Sequence, residues 1–187
     1  TKKNKKNIFL GSGSDPDILY RKKNKKKYPE KFDLIITSGL KRSQSSSKFY
    51  KAKKIIKNTL INEINYGLAE GMSFNSLKTK YPKIISSWKN KIDARYPEGE
   101  NSQDVEKRVK KFLKYLSKIN NKNKILIISH SFFLRVLLSV ILRFDLKRIY
   151  RLKIDYLKIL KIIKKNNYFL SNIDREEIKK FYKQIYD

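Results

Sequence analysis

The 187-residue sequence predicts an α/β protein: a three-layer fold with a mainly parallel sheet and helices on both faces. Three observations predict it. Ile125–Ile128 (ILII) is a short, continuous apolar run, which reads as a strand buried on both faces, and Phe32–Thr37 (FDLIIT) reads as another buried strand. Each breaks off at small polar residues, Ser38-Gly39 in one case and Ser129-His130-Ser131 in the other, before a helical stretch. Phe132–Leu142 is too long an apolar run for a strand and reads as a buried helix. Strands alternating with helices imply parallel pairing. No repeat and no long linker divides the chain, so residues 1–187 read as a single domain with a helical excursion at about 60–98.

In chain order, residues 1–7 are polar and basic, and Ile8-Phe9-Leu10 is a short apolar anchor. Gly11-Ser12-Gly13-Ser14-Asp15-Pro16 follows as a loop; two glycines so close imply unusual backbone angles or a close approach to a ligand. Residues 19–31 form a short, charged helical stretch ending near Pro29. After the first strand, a helix is expected through about Lys57, with Phe49, Ala52, Ile55 and Ile56 facing inward at helical spacing. Residues 60–74 hold two acids and two glycines, and residues 75–96 read as one or two helices broken at Pro82. Next comes a helix with Val105, Val109, Phe112, Leu113 and Leu116 on one face; Asn101 or Ser102 can cap it, and Asp104 complements its first turn. Asn120–Lys124 turns into the second strand, and Asp145–Arg148 reads as one helical turn. Tyr156–Ile163 reads as a late strand, Asn166-Asn167 as a turn and Tyr168–Ser171 as an edge strand. Asp174–Tyr186 reads as a terminal helix with Asp174 and Glu177 in a capping box.

Composition excludes several kinds of function. There is no cysteine, so there are no disulfides and no thiolate chemistry, and one histidine makes a zinc site improbable. No apolar stretch is long enough and free enough of charge to span a bilayer, and no signal peptide is evident, so a cytoplasmic protein is expected. The net charge is +29. It fits a nucleic-acid or membrane-surface partner, or a lysine-biased composition with solvated lysines everywhere. The lysines are spread, and aromatics do not cluster with them as base stacking requires, which favours the second. Either way a positive field attracts phosphorylated substrates.

Two residues stand out chemically. His130 falls between the end of a strand and the start of a helix, where free N–H groups favour an anion and where open α/β sheets collect ligands. A histidine bonded only to a nearby carbonyl is the ordinary alternative. Arg42 falls in the first turn of a helix just past the other strand, where a cation opposes the helix dipole. A phosphate-binding fork is a reason for it to be there.

Several segments resemble motifs of one family, the histidine phosphatases of the phosphoglycerate-mutase-like superfamily. FDLIITSGLKRS resembles its strand and arginine loop, NEINYGLAEG its acidic loop, PEGENSQDVEKRV its Pro-Gly-Glu-Ser segment and ILIISHSFFLRVLL its second histidine motif. They occur in the family's order across residues 32–142. Thr1-Lys2-Lys3-Asn4 resembles the tail of the family's Arg-His-Gly motif, and Thr1 is not a methionine. The expectation is therefore a chain that begins just after Arg-His-Gly, without the nucleophilic histidine and the first central strand. Such a chain is expected to be inactive by itself. NIFLGSGSDPDIL resembles the early loop of alpha-ribazole phosphatases.

The resemblance implies a metal-independent phosphomonoester hydrolase acting through a phosphohistidine, with no cofactor and a small phosphorylated metabolite as substrate. It implies catalytic roles for Arg42, Glu63 and His130, and substrate contacts from Asn4, Leu10, Gly11 and Ser131. Glu63 aligns with the family's general acid; Glu70 is its rival, and lysine ion pairing is the alternative for both. Phosphoglycerate-mutase-type transfer and an inactive scaffold binding nucleic acid or protein are the competing readings. The chain departs from the family pattern at Gly39, where proline is common, at Glu98, where a second glycine often lies, and at Ser131, where glycine is usual.

Overall fold

The computed structural model describes Thr1, residues 7–19, 29–90, 92–119, 124–155, 159–160, 162–165 and 168–171, and Lys183. Its centre is strand β1, Lys31–Thr37. Ile35 and Ile36 are both fully buried although successive side chains point to opposite faces, so both faces of β1 are covered. β1 pairs in parallel with β2 (Lys51–Lys57) on one side and β3 (Ile125–Ile128) on the other, giving the order β2-β1-β3. In register, Ile35 lies opposite Ile55 and Leu126, and Thr37 lies opposite Lys57 and Ile128. The result is the mixed α/β architecture with a parallel sheet. Among the described residues no strand pairs with the other edge of β3, whose four aliphatic residues are only half-buried.

The segment 41–57 corrects the expected helix. Helix α1 covers only Lys41–Ser47, and the chain then turns into β2. Phe49, Ala52, Ile55 and Ile56 have helical spacing, but a strand sends neighbours to opposite faces. Accordingly Ile56 packs against the core while Ile55 is 52% exposed. Parallel pairing with β1, a non-local contact, overrides the local pattern.

Short helical pieces lie between β2 and the long helix α4. α2 (Phe74–Lys80) is capped by Ser73, and α3 (Pro82–Lys89) opens with Pro82 at its first turn, where the missing N–H costs nothing. α4 (Ser102–Ser117) starts in a reciprocal capping box: the Asn101 side chain accepts from Asp104 N–H, and the Asp104 side chain accepts from Asn101 N–H. Its Val105, Val109 and Phe112 are fully buried against α5 (Ser131–Leu142), which follows β3 directly. Asp145 caps a 3-10 helix at Leu146–Arg151, longer than the single turn expected.

The late strand is shifted: β4 is Ile162–Lys165, in an antiparallel pair with β5 (Tyr168–Ser171). The expected turn at 166–167 and the terminal helix with its Asp174 cap lie outside the described residues, Lys183 apart, and so does most of the charged stretch 19–31.

Candidate active site

Because β1 and β3 are adjacent and parallel, the loops that follow them leave the same rim of the sheet. One delivers Arg42, the second residue of α1; the other delivers His130, the residue before α5. The two side chains touch: Arg42 Nε donates to His130 Nδ1 at 3.2 Å. The remaining guanidinium nitrogens donate to main-chain carbonyls of the early loop, Nη1 to Ser14 O and Nη2 to Gly11 O, each at 2.8 Å. Burial draws the guanidinium's pKa down against the opposing pull of Glu63, Asp15 and Glu70, and arginine stays charged.

An accepting Nδ1 places the proton of a neutral imidazole on Nε2, which lies 2.7 Å from Ser38 Oγ. Burial first, then the charges of Arg42 and Arg108, lower the pKa of His130 to about 3. At neutral pH the ring is therefore an uncharged donor through Nε2. Ser38 is held in turn: its N–H donates to Ser43 Oγ at 3.0 Å, and Ser43 Oγ donates to Ile128 O at 2.6 Å.

Glu63 lies just past a 3-10 turn, Thr59–Ile61, that follows β2. Its carboxyl sits on the first turn of α5, accepting from Phe132 N–H at 3.3 Å, Phe133 N–H at 3.2 Å and Ile64 N–H at 3.1 Å. A helix N-terminus favours negative charge there. Burial opposes it and prevails, so the Glu63 pKa is raised despite those N–H groups and the nearby Arg42. A carboxyl whose hold on its proton is strengthened in this way is suited to deliver that proton to a leaving oxygen.

Glu70 sits elsewhere. Its Oε1 accepts from Gly11 N–H at 2.9 Å, and its buried Oε2 has no hydrogen-bond partner among the described residues. Gly11 is wedged: a Cβ there would fall 2.2 Å from Ile64 O and 2.8 Å from Glu70 Oε2. Leu10, half-buried, precedes it, and Ser131 is the exposed first residue of α5. Asn4 lies outside the described residues.

Other polar groups of this rim carried no recognised signal in the sequence. Gly39 N–H donates to Asn62 Oδ1 at 2.7 Å, a bond that proline could not make. Ser129 Oγ donates to Ile61 O at 2.7 Å. Arg108 on α4 donates to Glu100 through Nε at 2.7 Å and Nη2 at 2.9 Å, and through Nη1 to the carbonyls of Leu60 and Asn62. Among the described residues no three histidine, aspartate or glutamate side chains gather as metal ligands, and no helix is long and apolar enough to cross a membrane.

Comparison with known proteins adds four likenesses to this geometry. The family description "Histidine phosphatase superfamily (branch 1)" matches residues 23–170. The chain is 28% identical over 151 residues to phosphoserine phosphatase 1 of Hydrogenobacter thermophilus, covering 75% of this chain and 72% of that one. It is 28% identical over 157 residues to a 2,3-bisphosphoglycerate-dependent phosphoglycerate mutase of Bartonella bacilliformis, covering 74% and 75%. In fold it resembles the alpha-ribazole phosphatase of Shigella flexneri, with a TM-score of 0.77 at 20% identity over 92% of this chain and 90% of that one.

Proposed function

Because the chain belongs to the histidine phosphatase superfamily, we propose that it is a phosphomonoester hydrolase of small phosphorylated metabolites, working through a phosphohistidine. The observation that carries this reading is the direct contact of Arg42 with a neutral His130 on one rim of the sheet, within electrostatic reach of Glu63.

Each residue has a role in this proposal. In this proposal the nucleophile is the histidine of the family's Arg-His-Gly motif, to whose tail Thr1–Asn4 is similar. Its ring nitrogen attacks phosphorus in line as the bond to the leaving oxygen breaks. Arg42 turns from the carbonyls of Gly11 and Ser14 to fork the equatorial oxygens, and His130 turns its Nε2–H from Ser38 Oγ to another. Glu63 gives its proton to the leaving oxygen, then takes one from the water that attacks the phosphohistidine. Attack by water releases inorganic phosphate and restores the histidine. The reading calls on no metal, since a permanent cation and a neutral donor stabilise the phosphoryl charge.

The test uses the full gene product with phenyl phosphate as substrate. Turnover with an acid-labile phosphoenzyme is expected, and Arg42→Ala or His130→Ala should lower kcat/KM by about 10²-fold or more. Unchanged turnover in both variants would overturn the assignment. Similarity to the Bartonella bacilliformis mutase favours a second reading, transfer between two hydroxyls of a substrate. Recovery of the phosphoryl group on a sugar acid, in place of free phosphate, would select it.

A further inference from the structure

Glu63 is bracketed by one assembly that neither catalytic chemistry nor the capping of α5 requires. Arg108, from the second turn of α4, grips Glu100 with a two-point fork, Nε to Oε1 at 2.7 Å and Nη2 to Oε2 at 2.9 Å. Both side chains are about four-fifths buried, with exposures of 20% and 21%. The third nitrogen, Nη1, donates to Leu60 O at 2.6 Å and Asn62 O at 3.1 Å, immediately before Glu63. Glu100 Oε2 accepts from Asn65 N–H at 2.9 Å, two residues after Glu63. The guanidinium also lies 5.8 Å from the ring centre of Phe133, whose own N–H holds Glu63 Oε1. One ion pair therefore fixes the backbone on both sides of Glu63 and touches the helix turn that receives its carboxyl.

We infer that Arg108, through Glu100, is a positioning residue that sets where the Glu63 carboxyl stands relative to the leaving oxygen. This rests on the reading of Glu63 as the general acid. Arg108 touches no substrate in this arrangement. Its effect passes through the segment Leu60–Asn65, which has no regular strand or helix beyond the 3-10 turn to fix it. Misplacing a proton donor by about 1 Å can cost about 10²-fold in rate.

The experiment compares kcat/KM for two aryl phosphates in the full gene product. The leaving oxygen of phenyl phosphate needs a proton; that of 2,4-dinitrophenyl phosphate does not. Glu63→Gln should lower the phenyl ester by about 10²- to 10³-fold and the dinitrophenyl ester by less than about tenfold. Arg108→Met should lower the phenyl ester by about tenfold or more and leave the dinitrophenyl ester within about twofold. Arg108→Lys, which keeps the charge but not the fork, and Glu100→Gln should fall between wild type and Arg108→Met. Equal losses for the two esters, or no loss, in Arg108→Met overturns the positioning role. If Arg108→Met does not fold, the same ratio in Arg108→Lys and Glu100→Gln decides. An unchanged ratio in Glu63→Gln means that Glu63 is not the acid, and the inference then falls with the reading beneath it.

Discussion

The two neighbours of β1 meet it on opposite terms. On the β3 side, the loops leaving the sheet carry few charges, and each of the rim's polar groups is tied to a particular partner: Arg42 to His130, His130 to Ser38, Ser43 to Ile128 O, Ser129 to Ile61 O. On the β2 side, Lys51, Lys53, Lys54 and Lys57 stand in solvent, and Ile55 is 52% exposed. Lys53 pairs with Asp33 at 2.7 Å yet keeps 83% of its side chain exposed. An outer strand set with lysines resists pairing with a second chain, and such surface pairs contribute little to stability. The lesson concerns charge. The lysines of β2 add to the +29 total from the surface, whereas the candidate chemistry depends on one cation, Arg42, held inward at a strand end.

Four predictions sharpen this contrast. The largest effect is expected from pH. The folded chain holds His130 neutral down to about 3, while an unfolded histidine takes a proton near 6.5. Between these values the unfolded state binds the extra proton, so stability falls as pH falls, by roughly 4–5 kcal/mol over the full window. The charges of Arg42, which touches the ring, and of Arg108 oppose its charging; Ser38 faces it without charge. The raised carboxyl of Glu63 acts in the opposite sense, stabilising the fold at low pH, and it is common to wild type and variant. Denaturant melts of wild type and His130→Asn at several pH values should therefore show the wild type's advantage shrinking from pH 6.5 downward. A pH-independent difference would mean that the ring is not held neutral.

Gly11→Ala comes next. A methyl there meets Ile64 O and the Tyr66 ring at 2.2 and 2.7 Å, so about 1–3 kcal/mol of destabilisation is expected from denaturant midpoints. A smaller and opposite effect is expected at Glu98, which adopts a left-handed φ of 56° where the family often has glycine. Glu98→Gly should stabilise by about 0.5–1 kcal/mol, read as a rise in Tm. Smallest of all, Lys53→Ala on the outer strand should leave both Tm and kcat/KM unchanged within error.

What the sequence discloses follows the same division between local and non-local causes. The buried strand at Phe32–Thr37, the cap of α4 at Asn101 and the break at Pro82 are written in adjacent residues, and the structure has them; the strand at Ile125–Ile128 is also present, but half-buried where burial on both faces was expected. β2 is not local: KAKKIIK becomes a strand because β1 lies alongside it, so its periodicity misled. The meeting of Arg42 with His130 was expected from the family resemblance, and it comes about because β1 and β3 pair side by side. The supporting groups were not. Arg108 bonds carbonyls 46 and 48 residues away, and Gly39 bonds an amide 23 residues away. Nothing in either residue's neighbourhood in the chain announces those partners.

The central claim is that the rim bearing Arg42 and His130 is built to hold a phosphoryl group. It is tested most directly by calorimetric titration of the gene product with inorganic phosphate, comparing wild type, Arg42→Met and Lys53→Met, which each remove one positive charge. Arg42→Met should weaken phosphate affinity by about tenfold or more, and Lys53→Met should leave it unchanged. Equal weakening by the two substitutions would mean that the diffuse positive field, and not this rim, attracts the anion, and would contradict the account.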